Sequence, residues 1–232
     1  MKSFVVELWS RIFNILRWIS PFQVIRTLIP AIRGSYGFVD GWVLGNLVLS
    51  IVLLLVCSAP SIRWWEAIAI GYGGIRVFEV FVYLINVLLF DKDREEKAGK
   101  TYALHDFRRL VLLSLHNYAE IIFWFALFYR NLGWAFETGK VTLNSFLTSL
   151  NFSFVTMTTF GYSTIFPKET LGEILTLTQS IIGLFMALLI LARFISFYFG
   201  RPKPIAYNSF IYAMRISFQL GVYLQYGYTH FD

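Results

Sequence analysis

Four apolar stretches, each long enough to cross a lipid bilayer, constrain this chain more than any other feature. A transmembrane helix needs about 20 residues to cross a hydrocarbon core of about 30 Å. Only 15% of the residues are charged, whereas about 25% are charged in a typical soluble domain. The sequence therefore predicts an all-α integral membrane protein with four transmembrane helices. The four stretches are residues 41–59, 64–90, 110–128 and 171–199.

Charge and cysteine content exclude several classes of protein. The formal net charge is +6, but the basic residues flank apolar spans, so anionic lipid headgroups rather than nucleic acid are the expected partner. The single cysteine, Cys57, excludes an intrachain disulfide. The three histidines, His105, His116 and His230, lack partners at metal-ligand spacing. The glycine run at 71–74 lacks the strand–turn–helix setting of a nucleotide loop, so neither a cofactor nor an enzymatic activity is expected.

The loop charges predict how the chain is oriented in the membrane. Basic residues are concentrated before the first span, between the second and third spans, and after the fourth. Because cytoplasmic loops carry an excess of Lys and Arg, both termini are expected in the cytoplasm of a multi-pass plasma-membrane protein. The loop between the last two spans is then outside. The outer loops carry only Arg63, Arg130, Lys140 and Lys168.

The loop before the last span holds the most distinctive motif, within residues 153–167. The preceding residues 142–157 are apolar but interrupted by polar side chains, which predicts a re-entrant half-helix sheltered by protein. An ion filter aims successive backbone carbonyls at one axis, so its backbone alternates between left- and right-handed conformations that glycine tolerates best. Thr159, Gly161 and Tyr162 supply a hydroxyl ligand, the permissive position and a supporting aromatic ring in that order.

From about residue 107 to residue 200 the chain resembles the pore module of the potassium-channel superfamily. The resemblance implies an outer helix, a pore helix, a filter loop and an inner helix, with four copies surrounding potassium as the permeant ligand and no other cofactor. It also implies that potassium is bound mainly by backbone carbonyls of Thr159, Phe160, Gly161 and Tyr162. Gly183 stands where an inner-helix hinge glycine is common, with close helix packing as the alternative. The implied filter is Thr158, Thr159, Phe160, Gly161, Tyr162 and Ser163.

The filter departs from the family pattern at several positions. Ser163 replaces the usual closing glycine, and a non-glycine residue in left-handed backbone costs about 1–2 kcal/mol. Thr164 and Val155 stand where carboxylates brace the filter in some relatives. Phe160 replaces a smaller aliphatic residue and needs room behind the filter. These differences leave potassium conduction as the expectation but put selectivity and filter stability in question.

Four ionisable residues inside the spans form a second candidate site, an intramembrane polar network. Arg76 and Glu79 are one helical turn apart, and His116 and Glu120 are four residues apart in the third span. One interpretation is a neutralised structural network that joins the first two spans to the pore. The other is a proton- or ligand-sensitive coupling element, because buried histidines and carboxylates titrate. A single arginine at Arg76 does not make a voltage sensor.

The leading functional prediction is a homotetrameric potassium-selective channel. The alternatives are a weakly selective monovalent cation channel and a non-conducting membrane adaptor with a vestigial pore loop. Four segments are predicted from the sequence. Residues 1–34 form a cytoplasmic amphipathic segment, with a helix over 3–19 that lies on the membrane or packs on the protein. Residues 35–106 form a two-helix membrane region with a cytoplasmic linker at 91–100. Residues 107–200 form the pore domain, and residues 201–232 form a cytoplasmic tail with mixed strand and helix patterns.

Overall fold

The computed structural model describes residues 4, 8, 12, 16, 20–29, 36–57, 64–97, 104–139, 141–161 and 164–199. Its secondary structure is mostly helical, and four of its helices are long and apolar enough to cross a membrane, which confirms the predicted fold class. The helices are α1 (Pro21–Leu28), α2 (Tyr36–Val56), α3 (Trp64–Lys97), α4 (Leu104–Asn131), α5 (Phe146–Met157) and α6 (Thr170–Phe199). The candidate spans are Gly37–Val56, Trp64–Ile85, Val111–Asn131 and Thr170–Ala192.

Helix α3 continues well beyond its apolar part. The sequence predicts a solvated cytoplasmic linker at 91–100, and the structure keeps α3 helical as far as Lys97. Acidic and basic residues are mixed in this part of the sequence, and Asp93 and Lys97 stand four apart, a spacing typical of helical sequences. The first part of the predicted linker is therefore an extension of the second transmembrane helix.

Helix α4 is the central element of the described fold. It packs against α2, α3 and α5, and 61% of its span is buried, against 44% or less in the other three spans. A helix that is apolar on several faces is stable only when neighbours cover those faces. Its fully buried side chains are Ile121, Trp124, Ala126, Leu127 and Tyr129, together with Glu120.

A short two-stranded antiparallel sheet joins the end of α4 to the start of α6. Strand β1 (Phe136–Glu137) pairs antiparallel with β2 (Phe166–Pro167). The carbonyl of Ala135 accepts hydrogen bonds from the backbone N–H groups of Lys168 and Glu169, at 2.9 and 3.2 Å. A β-carbon at Gly172 would lie 2.7 Å from the same carbonyl, so this close approach requires glycine. The sheet thus holds together the two ends of the segment that contains α5 and the loop after it.

The chain divides into two compact units, Met1–Arg193 and Phe194–Asp232. In the first unit, the described residues of the predicted 3–19 helix (Phe4, Leu8, Ile12 and Leu16) are helical. The rest of that segment lies outside the described residues. The predicted cytoplasmic tail, 201–232, also lies outside them.

Candidate functional site: the re-entrant loop and the buried charge cluster

Helix α5 has the length expected of a re-entrant half-helix. Its 12 residues extend roughly 18 Å at 1.5 Å per residue, which is about half of a bilayer core. It begins after Ser145, whose extended backbone (φ −74°, ψ 134°) ends the preceding loop. The Asn144 N–H donates to Thr142 Oγ1 at 3.2 Å, so the first residues of the predicted 142–157 segment form a capped turn instead of helix.

The polar residues of α5 are sheltered by neighbouring helices. Ser149 and Ser153 are fully buried. Ser149 Oγ donates to the carbonyl of Phe146 at 3.0 Å, and Ser153 Oγ donates across to the carbonyl of Ile122 in α4 at 2.7 Å. Buried hydroxyls in a membrane setting need such partners, because an unmade hydrogen bond there costs several kcal/mol.

The backbone after α5 alternates in handedness. Thr159 has φ 55° and Gly161 has φ 72°. In the described part of the chain, Thr159 is the only non-glycine residue with a positive φ. Left-handed backbone at a β-branched residue is an outlier that costs about 1–2 kcal/mol. Such strain is retained mainly where function requires the conformation. Positions 159 and 161 therefore have the alternating conformation that the sequence predicts for a carbonyl-lined filter.

The side chains of the loop divide into an anchored part and an exposed part. Thr158 Oγ1 donates back to the carbonyl of Phe154 in α5 at 2.8 Å. Thr159 Oγ1 donates to the carbonyl of the neighbouring Thr158 at 2.7 Å. Thr159 and Gly161 are exposed. Phe160 is 78% exposed, so within one chain it is not housed behind the filter as the sequence suggests. Tyr162 and Ser163 lie outside the described residues.

The inner helix α6 contacts the end of α5 at Gly183. A β-carbon at Gly183 would lie 2.1 Å from the Met157 carbonyl oxygen and 2.9 Å from its carbonyl carbon. No side chain fits at that distance, so the close-packing alternative accounts for this glycine. A hinge at Gly183 stays a prediction.

A buried hydrogen-bond network that the sequence did not predict joins α4, α5 and α6. Gln179 of α6 donates from Nε2 to the Ser153 carbonyl oxygen at 3.0 Å and to Ser153 Oγ at 2.7 Å. Its Oε1 accepts from the hydroxyl of Tyr129 in α4 at 2.7 Å. The available signal was an amide side chain in the middle of the most apolar span, since polar groups in such spans pair with neighbouring helices.

Three of the four predicted intramembrane ionisable residues meet in one buried charge cluster: Arg76, Glu79 and Glu120. The Arg76 guanidinium binds Glu120 through Nε–Oε1 at 2.7 Å and Nη2–Oε2 at 3.0 Å. Its Nη1 binds Glu79 Oε2 at 2.6 Å. The structure does not bring His116 into the cluster; its Nδ1 instead lies 2.7 Å from the Leu112 carbonyl of its own helix.

Neutral donors complete the charge cluster. Glu79 Oε1 accepts from the Phe22 backbone N–H at 2.8 Å and from the Ser20 hydroxyl, both at the start of α1. Glu120 Oε1 accepts from Trp124 Nε1 at 3.1 Å. All four carboxylate oxygens therefore have a donor, although the three charged side chains are at most 4% exposed. This satisfaction offsets the cost of burying two carboxylates with a single guanidinium.

The glycine run at 71–74 has a packing explanation. A β-carbon at Gly73 would lie 2.5 Å from the Trp124 ring and 3.0 Å from the Phe128 ring. Gly73 thus lets α3 approach α4 closely beside the charge cluster, in line with the rejection of a nucleotide loop. Among the described residues, no group of three His, Cys, Asp or Glu side chains is placed to hold a metal ion.

Arg130, in the last turn of α4, ties two other segments to that helix. Its Nε donates to the Asn144 carbonyl at 2.9 Å, and its Nη1 donates to the carbonyl of Leu54 near the end of α2. The entry to α5 is therefore linked to both α4 and α2.

Comparison with known proteins gives one match. A protein-family model described as "Ion channel" matches residues 111–200. The matched segment contains the transmembrane part of α4, all of α5, the strained loop at Thr159 and α6. No curated protein and no solved structure matches the chain.

Proposed function

We propose that this multi-pass membrane protein, whose residues 111–200 match a family model described as "Ion channel", is a potassium-selective channel. The observation that carries the proposal is the left-handed backbone at Thr159 and Gly161, at alternate positions directly after a buried half-helix. Alternation of this kind turns successive carbonyls to the same side, which is what replacing the hydration shell of an ion requires. In this assignment the ligands are the Thr159 hydroxyl and the carbonyls of residues 159–162.

The proposed pore consists of four copies of the chain. One loop presents carbonyls from one side only, and a ring of four is needed to surround an ion. The exposure of Thr159, Phe160 and Gly161 in a single chain supports this, because their carbonyls and the Phe160 ring need neighbours to be enclosed. Helix α6 also exposes a row of apolar side chains suited to lipid or to neighbouring copies. They are Ile174, Leu177, Ile181, Leu184, Leu188 and Leu191.

The proposed setting is the plasma membrane with both termini in the cytoplasm. Its support is the bias of Lys and Arg toward the N-terminal segment, the loop between α3 and α4, and the region after α6. In this orientation α5 enters from the outside, and the basic residues lie where anionic lipid headgroups are available as partners.

A weakly selective cation channel is the second candidate, and specific observations favour it. The threonine at φ 55° carries backbone strain within the filter itself. Val155 and Thr164 provide no carboxylate pair to brace the loop. A loosely held filter coordinates potassium less well and discriminates less between ions of similar charge.

The deciding experiment measures reversal potentials of the purified full chain in planar lipid bilayers, with potassium on one side and sodium on the other. A potassium channel gives a reversal potential close to the potassium equilibrium potential. A reversal potential near zero, with robust current, would instead establish the weakly selective candidate. Absence of any current from protein that is folded and inserted would favour the adaptor alternative.

The charge cluster of Arg76, Glu79 and Glu120 is proposed as the structural link between the N-terminal helices and the pore module. Its complete hydrogen bonding supports that role over the proton-sensitive one. The same bilayer recording at several pH values tests this choice. A steep change of open probability near neutral pH that Glu120→Gln removes would establish the coupling role.

A further inference from the structure

Gln179 has a buried position that apolar packing alone does not explain. It is fully buried in the span of α6, where an amide without partners costs several kcal/mol. Its side chain spans two other helices at once, accepting from Tyr129 of α4 and donating twice to Ser153 of α5. Ser153 passes the link on by donating to the Ile122 carbonyl of α4.

The network lies close to the loop that follows α5. Ser153 stands four residues before the end of α5 at Met157, or roughly 6 Å of helix rise, and Thr159 follows two residues later. Gln179 and Gly183 are one turn apart, so they share the face of α6 that meets α5. The two contacts differ in kind, since Gln179 makes directional hydrogen bonds and Gly183 makes a steric contact with the Met157 carbonyl.

Hydrogen bonds fix the rotation and the position of one helix on another, which apolar contacts leave free. Hydrophobic burial depends on area and tolerates rotation or a small slide of one helix on another. A hydrogen bond weakens steeply when its angle falls or its length grows, so three bonds to one amide define a single arrangement. A slide of α5 along α6 would lengthen or bend the bonds between Gln179 and Ser153.

We propose that Gln179 is a positioning residue for the filter: it fixes the depth and rotation of α5 against α6 and thereby sets the ion selectivity of the loop at Thr159. The proposal rests on the proposed filter assignment. Gln179 does not touch the ion in this arrangement. It acts through Ser153 and the last turn of α5.

The test compares sodium-to-potassium permeability ratios of full-length variants in planar bilayers. Gln179→Met keeps the volume and removes all three bonds, and Tyr129→Phe removes the bond to Oε1 while leaving both bonds to Ser153. We expect the ratio to rise by about three-fold in Gln179→Met, which corresponds to roughly 0.65 kcal/mol, and to rise less in Tyr129→Phe. Thr176→Val is the matched control on α6, because Thr176 Oγ1 bonds only to carbonyls of its own helix. Its ratio should equal that of the wild type.

A wild-type ratio in assembled Gln179→Met would overturn the proposal, because a purely structural glutamine lowers stability without moving selectivity. Where Gln179→Met fails to assemble, Ser153→Ala and Tyr129→Phe replace it, and unchanged ratios in both would be equally decisive. Failure of the proposed function has a separate signature, namely a wild-type permeability ratio near one. In that case single-channel conductance becomes the readout, and it must still differ between Gln179→Met and Thr176→Val.

If the chain passes no current, the binding of potassium can still be measured. Potassium then should raise the thermal unfolding temperature of the wild type relative to a large organic cation at equal ionic strength, since ligands stabilise the state that binds them. We expect a smaller rise in Gln179→Met than in Thr176→Val. Equal rises in the two variants would refute the role of Gln179.

Discussion

Arg76 of α3 and Glu120 of α4 form a two-bonded salt bridge, with N–O distances of 2.7 and 3.0 Å and almost no exposure to solvent. The planar guanidinium matches the two carboxylate oxygens in parallel, the strongest arrangement available to this pair. Arg76 also holds Glu79, which in turn accepts from residues at the start of α1. A single guanidinium thus ties α4, in the matched segment, to both α3 and the start of α1, beside the packing of α4 on α2 and α3.

Loss of Arg76 should destabilise the protein more than loss of charge on Glu120. Arg76→Leu leaves two buried carboxylates without a counter-charge, and breaking a buried pair in this way costs about 3–5 kcal/mol. Glu120→Gln keeps Arg76 paired with Glu79 and retains an acceptor for Trp124, so about 1–3 kcal/mol is expected. Thermal unfolding in detergent measures both.

Arg109 provides the matched control for that comparison. It pairs with Asp40 at 2.7 Å, but both side chains are partly exposed, and such pairs contribute about 1 kcal/mol or less. Arg109→Leu should therefore change stability little. If Arg76→Leu and Arg109→Leu have the same effect, the buried cluster does not connect the helices as described.

Gly161→Ala should abolish ion conduction while the protein still assembles. No atom lies within 4 Å of a β-carbon built at Gly161, so the cost comes from the positive φ of 72° and not from a clash. Gly139 is the control, because it has a φ of 52° in the loop between β1 and α5. Gly139→Ala carries similar backbone strain, and we expect it to conduct normally. Normal potassium current through Gly161→Ala would refute the filter assignment.

The sequence predicted the features of this fold that depend on composition and local pattern. Apolar length gave the four spans, and polar residues within 142–157 predicted a half-helix. The motif itself indicates why position 161 is glycine, because a carbonyl-lined filter needs left-handed backbone that glycine tolerates best. Partnerships between distant residues were harder, because spacing along one helix does not show which helix it faces. The structure pairs Arg76 with Glu120, whereas the ring of His116, on the same helix as Glu120, lies against the backbone of that helix.

Other contacts gave little sequence signal. Gln179 pairs with Tyr129 and Ser153, and each of these residues is an ordinary polar side chain until the three helices meet. Gly183 was ambiguous between a hinge and a packing position, since both use the absence of a side chain. Only the structure reveals the packing requirement, because an added β-carbon at Gly183 would lie 2.1 Å from the Met157 carbonyl oxygen.

Gly183→Ala should lower stability and disturb the pore together. The added carbon meets the Met157 carbonyl, so α5 and α6 must separate, and such overpacking costs about 1–3 kcal/mol. Gly71→Ala is the matched control in α3, where no atom lies within 4 Å of the added carbon. Thermal unfolding should show a loss for Gly183→Ala and no loss for Gly71→Ala. A variant Gly183→Ala of normal stability with altered gating would point to the hinge instead.

Cys57 should react slowly with alkylating reagents below pH 10. Burial raises the pKa of its thiol to about 11, with the carboxylate of Glu66 adding to the rise and Arg130 opposing it. Because the thiolate is the reactive form, the fraction available at pH 7.5 is roughly one in three thousand, against about one in ten for a free cysteine. Iodoacetamide labelling followed by mass spectrometry should therefore accelerate about ten-fold per pH unit up to pH 10. The chain unfolded in dodecyl sulfate should instead level off near pH 9, and a native plateau at that pH would contradict the burial of this thiol.

Thr159→Cys should alter block of the channel by barium, a divalent ion used here as a probe of the inner end of the filter. The Thr159 hydroxyl is exposed beside the proposed ion path, and sulfur is a softer and weaker ligand than oxygen for such hard cations. We expect the barium affinity to fall about ten-fold, a loss of roughly 1.4 kcal/mol. Thr158→Cys is the comparison, because the Thr158 hydroxyl is turned back toward the Phe154 carbonyl of α5. Its barium affinity should change less than that of Thr159→Cys. Equal shifts in the two variants would mean that the hydroxyl of Thr159 does not face the ion, and the left-handed backbone at this position would then serve only to turn the chain.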